Sequence, residues 1–281
     1  MTLLAALLAG TASIAQAETF YFSAIPDEDQ TALVERFTKV AEYLEAELGV
    51  DVEFVPVKNY GASVTAFRND QIQLAWFGGL TGVQARVLTP GAKAIAQGKE
   101  DPLFVSYFIA HTDTGLEKSD DFPTGIEGMS FTFGSKSSTS GRLMPEFYIR
   151  EEAGKAPEEL FSRVGFSGDH SQTLRLVASG AWQLGALNYA VYDKAVAEGA
   201  PEVETAKVIW QTPPYPDYNW TIRGDVDARF GEGFSDRVQA ALIGMDDPEL
   251  LASFPREAFI PAASADFQPI EDTAKALGLL E

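Results

Sequence analysis

The chain contains no cysteine, only two histidines and about half as many basic as acidic residues: 21 Lys+Arg against 41 Asp+Glu, a formal net charge of −20 over 281 residues. Without thiols there are no disulfides, thiolate metal sites or cysteine nucleophiles. His111 and His170 alone are too few for an imidazole metal cluster, and no H-E-x-x-H or EF-hand spacing occurs. No metal or other cofactor is therefore expected. The shortage of positive charge argues against nucleic acid and anionic membrane surfaces, whose binding depends on Lys and Arg. No apolar run reaches the ~18 residues of a membrane span, so no direct membrane anchor is expected. With 46% hydrophobic and 11% aromatic residues the chain can still bury cores. Its length suits two domains of roughly 100–200 residues.

Residues 1–17 (MTLLAALLAGTASIAQA) carry no charged side chain, run apolar from Leu3 to Leu8 and end in the small-x-small pattern Ala15-Gln16-Ala17. This reads as a signal peptide cut after Ala17, although its n-region lacks the usual Lys or Arg. The alternative is a short buried helix. Cleavage would leave a soluble, exported protein.

The rest alternates strand and helix patterns. Thr19 to Ala24 is strand-like, and Asp27 with Gln30 reads as a helix cap before Leu33, Phe37, Val40, Leu44 and Leu48, spaced at about 3.6 residues. Strand patterns follow at 50–57, 71–77, 93–97 and 103–110, with a helix at 61–69. The turn-rich stretch 111–125 looks like a crossover. A second series has strands at 129–133, 163–166, 184–187 and 207–210, with helices at 142–152, 170–179 and 189–197. The tail after Gly224 is helical in pattern. These observations predict an α/β protein of two lobes with mainly parallel sheets and a double crossover, near 112 and near 218. The first lobe is expected to hold 18–111 plus 224–281, and the second 112–223.

Four segments could carry chemistry. Gly134-Ser135-Lys136-Ser137-Ser138-Thr139-Ser140-Gly141 links a strand to a helix and could present hydroxyls, free N–H groups and the positive helix end to an oxyanion. An ordinary serine-rich N-cap loop looks the same. His170 sits at another strand-to-helix turn, where it could donate to an anion or serve as a cap. Pro213 to Trp220 (PPYPDYNW) carries aromatics and Asp217 into a strand, walling a pocket or simply packing on a core. Trp76-Phe77-Gly78-Gly79 ends a strand with glycines that allow close backbone approach. No G-x-S-x-G elbow or lysine-bearing P-loop is present, so an enzyme is not expected.

Several stretches together resemble the periplasmic substrate-binding proteins of phosphonate and phosphite ABC importers. They are Tyr21 to Pro26, Tyr60 with Ala66-Phe67, Leu74 to Gly78, Ser137 to Pro145, Gly168 to His170, and Val208 to Asn219. The resemblance implies a type II periplasmic binding protein of two lobes with mixed, mainly parallel sheets. By position it implies that Ser138, Thr139 and Ser140 hold the anion oxygens. Tyr60 and Tyr107 would add hydroxyls or ring walls from the first lobe, and His170 and Asp217 contacts from the second. Trp76, Asn188 and Tyr189 complete the expected ligand-binding set.

The wording LAWFGGLTGVQAR and TPPYPDYNW is similar to a subgroup named for selenate binding, so selenate or another oxyanion is the alternative ligand. Asp217 decides the lean toward phosphonate or phosphite: a carboxylate repels a full dianion but accepts a hydrogen bond from P–OH. The implied partners are the small oxyanion, an ABC permease and its ATPase, with the binding protein a monomer. A periplasmic ligand-sensing subunit for a histidine kinase is the alternative role.

Overall fold

A computed structural model describes residues 18–28 and 30–280 of the chain. The expected signal peptide, residues 1–17, lies outside them. Two open sheets organise the fold. The first has the order β11-β4-β10-β3-β1-β2, with β1 Phe20–Ala24, β2 Val52–Phe54, β3 Leu74–Phe77, β4 Lys93–Gly98, β10 Asn219–Ile222 and β11 Phe259–Pro261. The second has the order β7-β6-β8-β5-β9, with β5 Ser106–His111, β6 Ser130–Phe133, β7 Arg163–Phe166, β8 Leu184–Asn188 and β9 Ala206–Gln211.

Helix α1 (Gln30–Leu48) forms where the 3.6-residue spacing places it, burying Leu33, Phe37, Val40, Leu44 and Leu48. Helix α2 (Tyr60–Arg68) is capped by Asn59, whose side chain accepts from Ala62 N. Helix α3 (Gly79–Leu88) starts directly at the end of β3. In the second lobe come α4 (Met144–Ala153), the single turn α5 (Pro157–Leu160), α6 (His170–Ala178) and α7 (Tyr189–Ala197). The C-terminal helices 234–244 and 268–276 pack back on the first lobe.

Both sheets are mixed. Parallel pairing, expected to dominate, is confined to β2-β1-β3 and β7-β6-β8; the remaining strands run antiparallel. The crossover accounts for β5 and β10, which enter their sheets from the opposite lobe and so arrive in the opposite direction; the edge strand β11 runs back along β4 after the C-terminal helix 234–244.

The strand memberships shift the expected boundaries. β5 pairs with β8 and β9, so the chain crosses before residue 106 and not near 112. β10 pairs with β3 and β4, so the return crossing ends before 219, near the expected 218, and 219–223 belongs with the first sheet. The turn-rich 111–125 is a loop of the second lobe, where Phe122 packs on Phe108 and Trp210. Turn composition marks a loop, but it does not say which sheet the preceding strand joins.

The two crossing segments pair with each other. Phe104 and Tyr215 exchange backbone hydrogen bonds of 2.9 Å, and Asp217 N donates to the Asp101 carbonyl at 3.0 Å. Beneath them Asp101 forms a buried ion pair with Arg256, 2.7 Å, whose remaining donors reach the carbonyls of Phe254 and Pro255.

Candidate ligand-binding site

Strand β6 feeds the serine-rich loop, and the loop turns into helix through one π turn, Thr139–Leu143. Ser138 caps it, its Oγ accepting from Gly141 N at 2.9 Å. Ser138, Thr139 and Ser140 are all buried, although their residue types favour water. They are buried because the other lobe closes on them. Thr139 Oγ1 accepts from Leu80 N at 2.9 Å, and Asp217 Oδ1 accepts from Gly79 N at 2.8 Å. The N-terminus of α3, with its positive dipole end, thus points at the hydroxyl loop.

A side chain on Gly78 would crowd this contact. A Cβ on it would stand 3.2 Å from both Asp217 Oδ1 and Thr139 Oγ1. Gly141 likewise makes room for His170: an added Cβ would lie 3.0 Å from His170 Cε1.

Among the described residues, three polar atoms in this cluster are buried with no hydrogen-bond partner: Tyr60 Oη, His170 Nε2 and Asp217 Oδ2. Such atoms cost about 1–3 kcal/mol each when left unpaired, and their concentration at one place makes this cluster the candidate site for a polar ligand. The chemistry of each can be assigned. His170 Nδ1 accepts from Asn188 N at 3.2 Å, so Nε2 carries the hydrogen and faces the site as a donor. Burial holds the imidazole neutral by lowering its pKa to about 4. Asp217 goes the other way: burial raises it to about 7, opposed by the Gly79 N–H and the hydroxyls of Thr139 and Ser140. Near neutral pH its Oδ2 is therefore an acceptor for a proton that a ligand brings, or a donor when it holds that proton itself.

The other expected residues are placed differently. Asn188 is buried, but its groups are taken: Oδ1 caps α7 by accepting from Ala190 N at 2.7 Å, and Nδ2 donates to Tyr218 Oη at 3.1 Å. Trp76 stacks on the Tyr218 ring, 5.4 Å between centroids, and supports it from behind. Tyr107 lies on β5 and therefore in the second lobe, not the first. Its hydroxyl turns to Asp193 on α7, 3.4 Å, and its ring meets Tyr189 and Tyr192, outside the cluster. Tyr189 packs its ring on Phe104, 4.8 Å.

The sequence reading missed Asp27 and Tyr218 as well as the Gly79 and Leu80 N–H groups. Asp27 was expected at the start of α1 as a cap, and its partners Tyr218 and His170 lie at the cleft. Its Oδ2 accepts from Tyr218 Oη at 2.8 Å and its carbonyl accepts from His170 N at 3.1 Å. Burial, then the neighbouring Glu28, lifts its pKa to about 6, against the Tyr218 hydrogen bond. The Gly78-Gly79 pair after a strand was the signal that could have marked the start of α3.

Comparisons with known proteins point the same way. The family described as "ABC transporter, phosphonate, periplasmic substrate-binding protein" matches residues 22–267. The chain is 37% identical over 261 residues to a protein of Prochlorococcus marinus (strain MIT 9301) described as "Probable ABC transporter phosphite binding protein PhnD1", covering 90% of this chain and 88% of that protein. A structure of the Prochlorococcus marinus protein PhnD1 in complex with methylphosphonate superposes with a TM-score of 0.89, covering 92% of this chain and 98% of that one. A phosphonate-transporter binding component from Pseudomonas aeruginosa, 19% identical, shares the fold with a TM-score of 0.80, over 92% and 86% of the two chains. With a family match across most of its length and a two-lobed fold closed around a buried hydroxyl loop, this chain belongs to the periplasmic phosphonate substrate-binding proteins of ABC transporters.

Proposed function

We propose that this protein captures phosphite or a small phosphonate such as methylphosphonate between its lobes and delivers it to an ABC permease and ATPase, acting as a monomer in the periplasm after loss of residues 1–17. The observation that carries the reading is the donor and acceptor set of the site. Ser138, Thr139, Ser140, Tyr60 and the Nε2–H of His170 offer neutral donors to anionic oxygens. Asp217 Oδ2 is the acceptor for one protonated oxygen. A hydrogen-phosphonate or hydrogen-phosphite has both kinds of oxygen, whereas sulfate or selenate at neutral pH brings no proton and meets a carboxyl that repels it. Neutral donors also explain how a protein of net charge −20 holds an anion: the binding is local and recessed, while the surface charge is spread elsewhere. Capture breaks no bond, so the site needs no nucleophile or general base.

The test is a thermal-shift and calorimetry panel of phosphite, methylphosphonate, 2-aminoethylphosphonate, phosphate, sulfate and selenate. Phosphite and methylphosphonate should raise the melting temperature and sulfate and selenate should not. The double change Thr139→Ala with Ser140→Ala removes two donors and should cost about 2–5 kcal/mol of binding, at least ~30-fold in Kd, with the fold retained. Unchanged affinity in that variant would overturn the assignment.

A further inference from the structure

We infer that Asp27, Tyr218 and Asn188 form a latch that exists only when the lobes are closed and that sets the release rate of the ligand. The inference rests on the proposed function for its probe, though not for its geometry. Four hydrogen bonds close a ring across the cleft. His170 N donates to the Asp27 carbonyl at 3.1 Å, and Tyr218 Oη donates to Asp27 Oδ2 at 2.8 Å. Asn188 Nδ2 donates to Tyr218 Oη at 3.1 Å, and Asn188 N returns to His170 Nδ1 at 3.2 Å. Asp27 follows β1 and Tyr218 precedes β10, both in the first lobe; His170 opens α6 and Asn188 ends β8, both in the second. Two of the four bonds therefore span the lobes and cannot form in an open protein. A third, inside the second lobe, fixes the tautomer that turns His170 Nε2–H toward the ligand cluster.

Beside the ring, Lys194 on α7 pairs with Glu28 of the first lobe at 2.8 Å, so the same seam carries an ion pair. Interactions present only in the closed form lower its free energy relative to the open form, and a ligand that escapes through opening then leaves more slowly. Arrival, which starts from the open form, is not affected. Tyr218 is a positioning residue in this scheme. Its hydroxyl is consumed by Asp27 and Asn188, while its ring is held independently by Trp76 and by the Arg256 guanidinium, 5.1 Å above it.

Tyr218→Phe deletes both hydroxyl bonds and keeps the ring. Asn188→Asp keeps the α7 cap and deletes the Nδ2 donor. Stopped-flow Trp fluorescence with methylphosphonate as probe should show dissociation about 10- to 50-fold faster in each variant, with association unchanged within about twofold. The double variant should be no faster than the worse single one, because both changes break the same ring. A merely structural role would move the ligand-free melting temperature and leave this split between the rates untouched. Since the chain has no cysteine, spin labels on cysteines at exposed Glu53 and Lys207 also report the distance between the lobes. If wild type responds to methylphosphonate and the dissociation rate of Tyr218→Phe is unchanged, the latch is refuted and the functional reading stands. If wild type responds to neither methylphosphonate nor phosphite, the functional reading fails. The latch is then decided by the ligand-free distance distribution, which Tyr218→Phe should shift toward open and which, if identical to wild type, refutes it.

Discussion

Replacing Asp217 by Asn isolates a carboxyl whose pKa is held well above the usual carboxylate range by burial in the site. Asn keeps an acceptor for Gly79 N–H but removes the charge. Burial raises the Asp217 pKa from 3.8 to about 7, so the folded protein resists its ionisation while the unfolded chain does not. A carboxyl raised in this way stabilises the fold less as pH rises through the folded value: the unfolded state has already released its proton, and the folded state is made to follow. Between pH 6 and pH 8 the contribution of this group should fall by about 1.4 kcal/mol, one pKa unit's worth of free energy. Asp27, raised to about 6, has lost most of its own pH dependence by then, and His170 affects both proteins equally. The stability advantage of Asp217→Asn over wild type, measured by urea denaturation without ligand, should therefore grow by about 1.4 kcal/mol from pH 6 to pH 8. Binding checks the acceptor role: the variant should lose about 2–3 kcal/mol toward methylphosphonate, roughly 30- to 150-fold. A stability difference that is the same at both pH values, with methylphosphonate affinity intact, would refute the reasoning.

Other outcomes follow from the same geometry. His170 is buried neutral with a pKa near 4 against 6.5 for a free imidazole, so acid must charge it on unfolding; stability is lost as pH falls from 6.5 toward 4, and His170→Asn should reduce that loss by about 3 kcal/mol in acid denaturation. Gly78→Ala puts a methyl 3.2 Å from Asp217 Oδ1 and Thr139 Oγ1 across the closed cleft, so calorimetry should show weaker ligand binding with a ligand-free melting temperature close to wild type. Arg256→Met leaves the buried Asp101 carboxyl without its partner beneath the crossing segments and should cost about 3–5 kcal/mol of unfolding free energy in denaturant titration.

The legible part of the fold was the part set by near neighbours. Period-2 and 3.6-residue patterns place most strands and helices because each reports which face of a local element is apolar, as with the buried stripe Leu33 to Leu48 of α1. The hydroxyl loop was legible for the same reason: Ser138 caps its own helix three residues on. The short edge strand β11 and helix α3 were not read, since a three-residue strand and a helix opening on Gly78-Gly79 carry little pattern of their own.

By itself the sequence determined an α/β chain without thiols, with neutral donors in the loop Ser138 to Ser140 and a lone carboxylate at Asp217. Only the tertiary structure decided what those groups meet. Asp217 finds Gly79 N–H 138 residues away, Thr139 finds Leu80 N–H 59 residues away, and Asp27 finds Tyr218 191 residues away. Tyr107, expected in the first lobe, belongs to the second because β5 pairs with β8 and β9. Local composition sets which way a side chain can face along its own strand or helix. Which lobe that element joins, and which charges burial then shifts, depends on strand pairings between distant segments that no local pattern records.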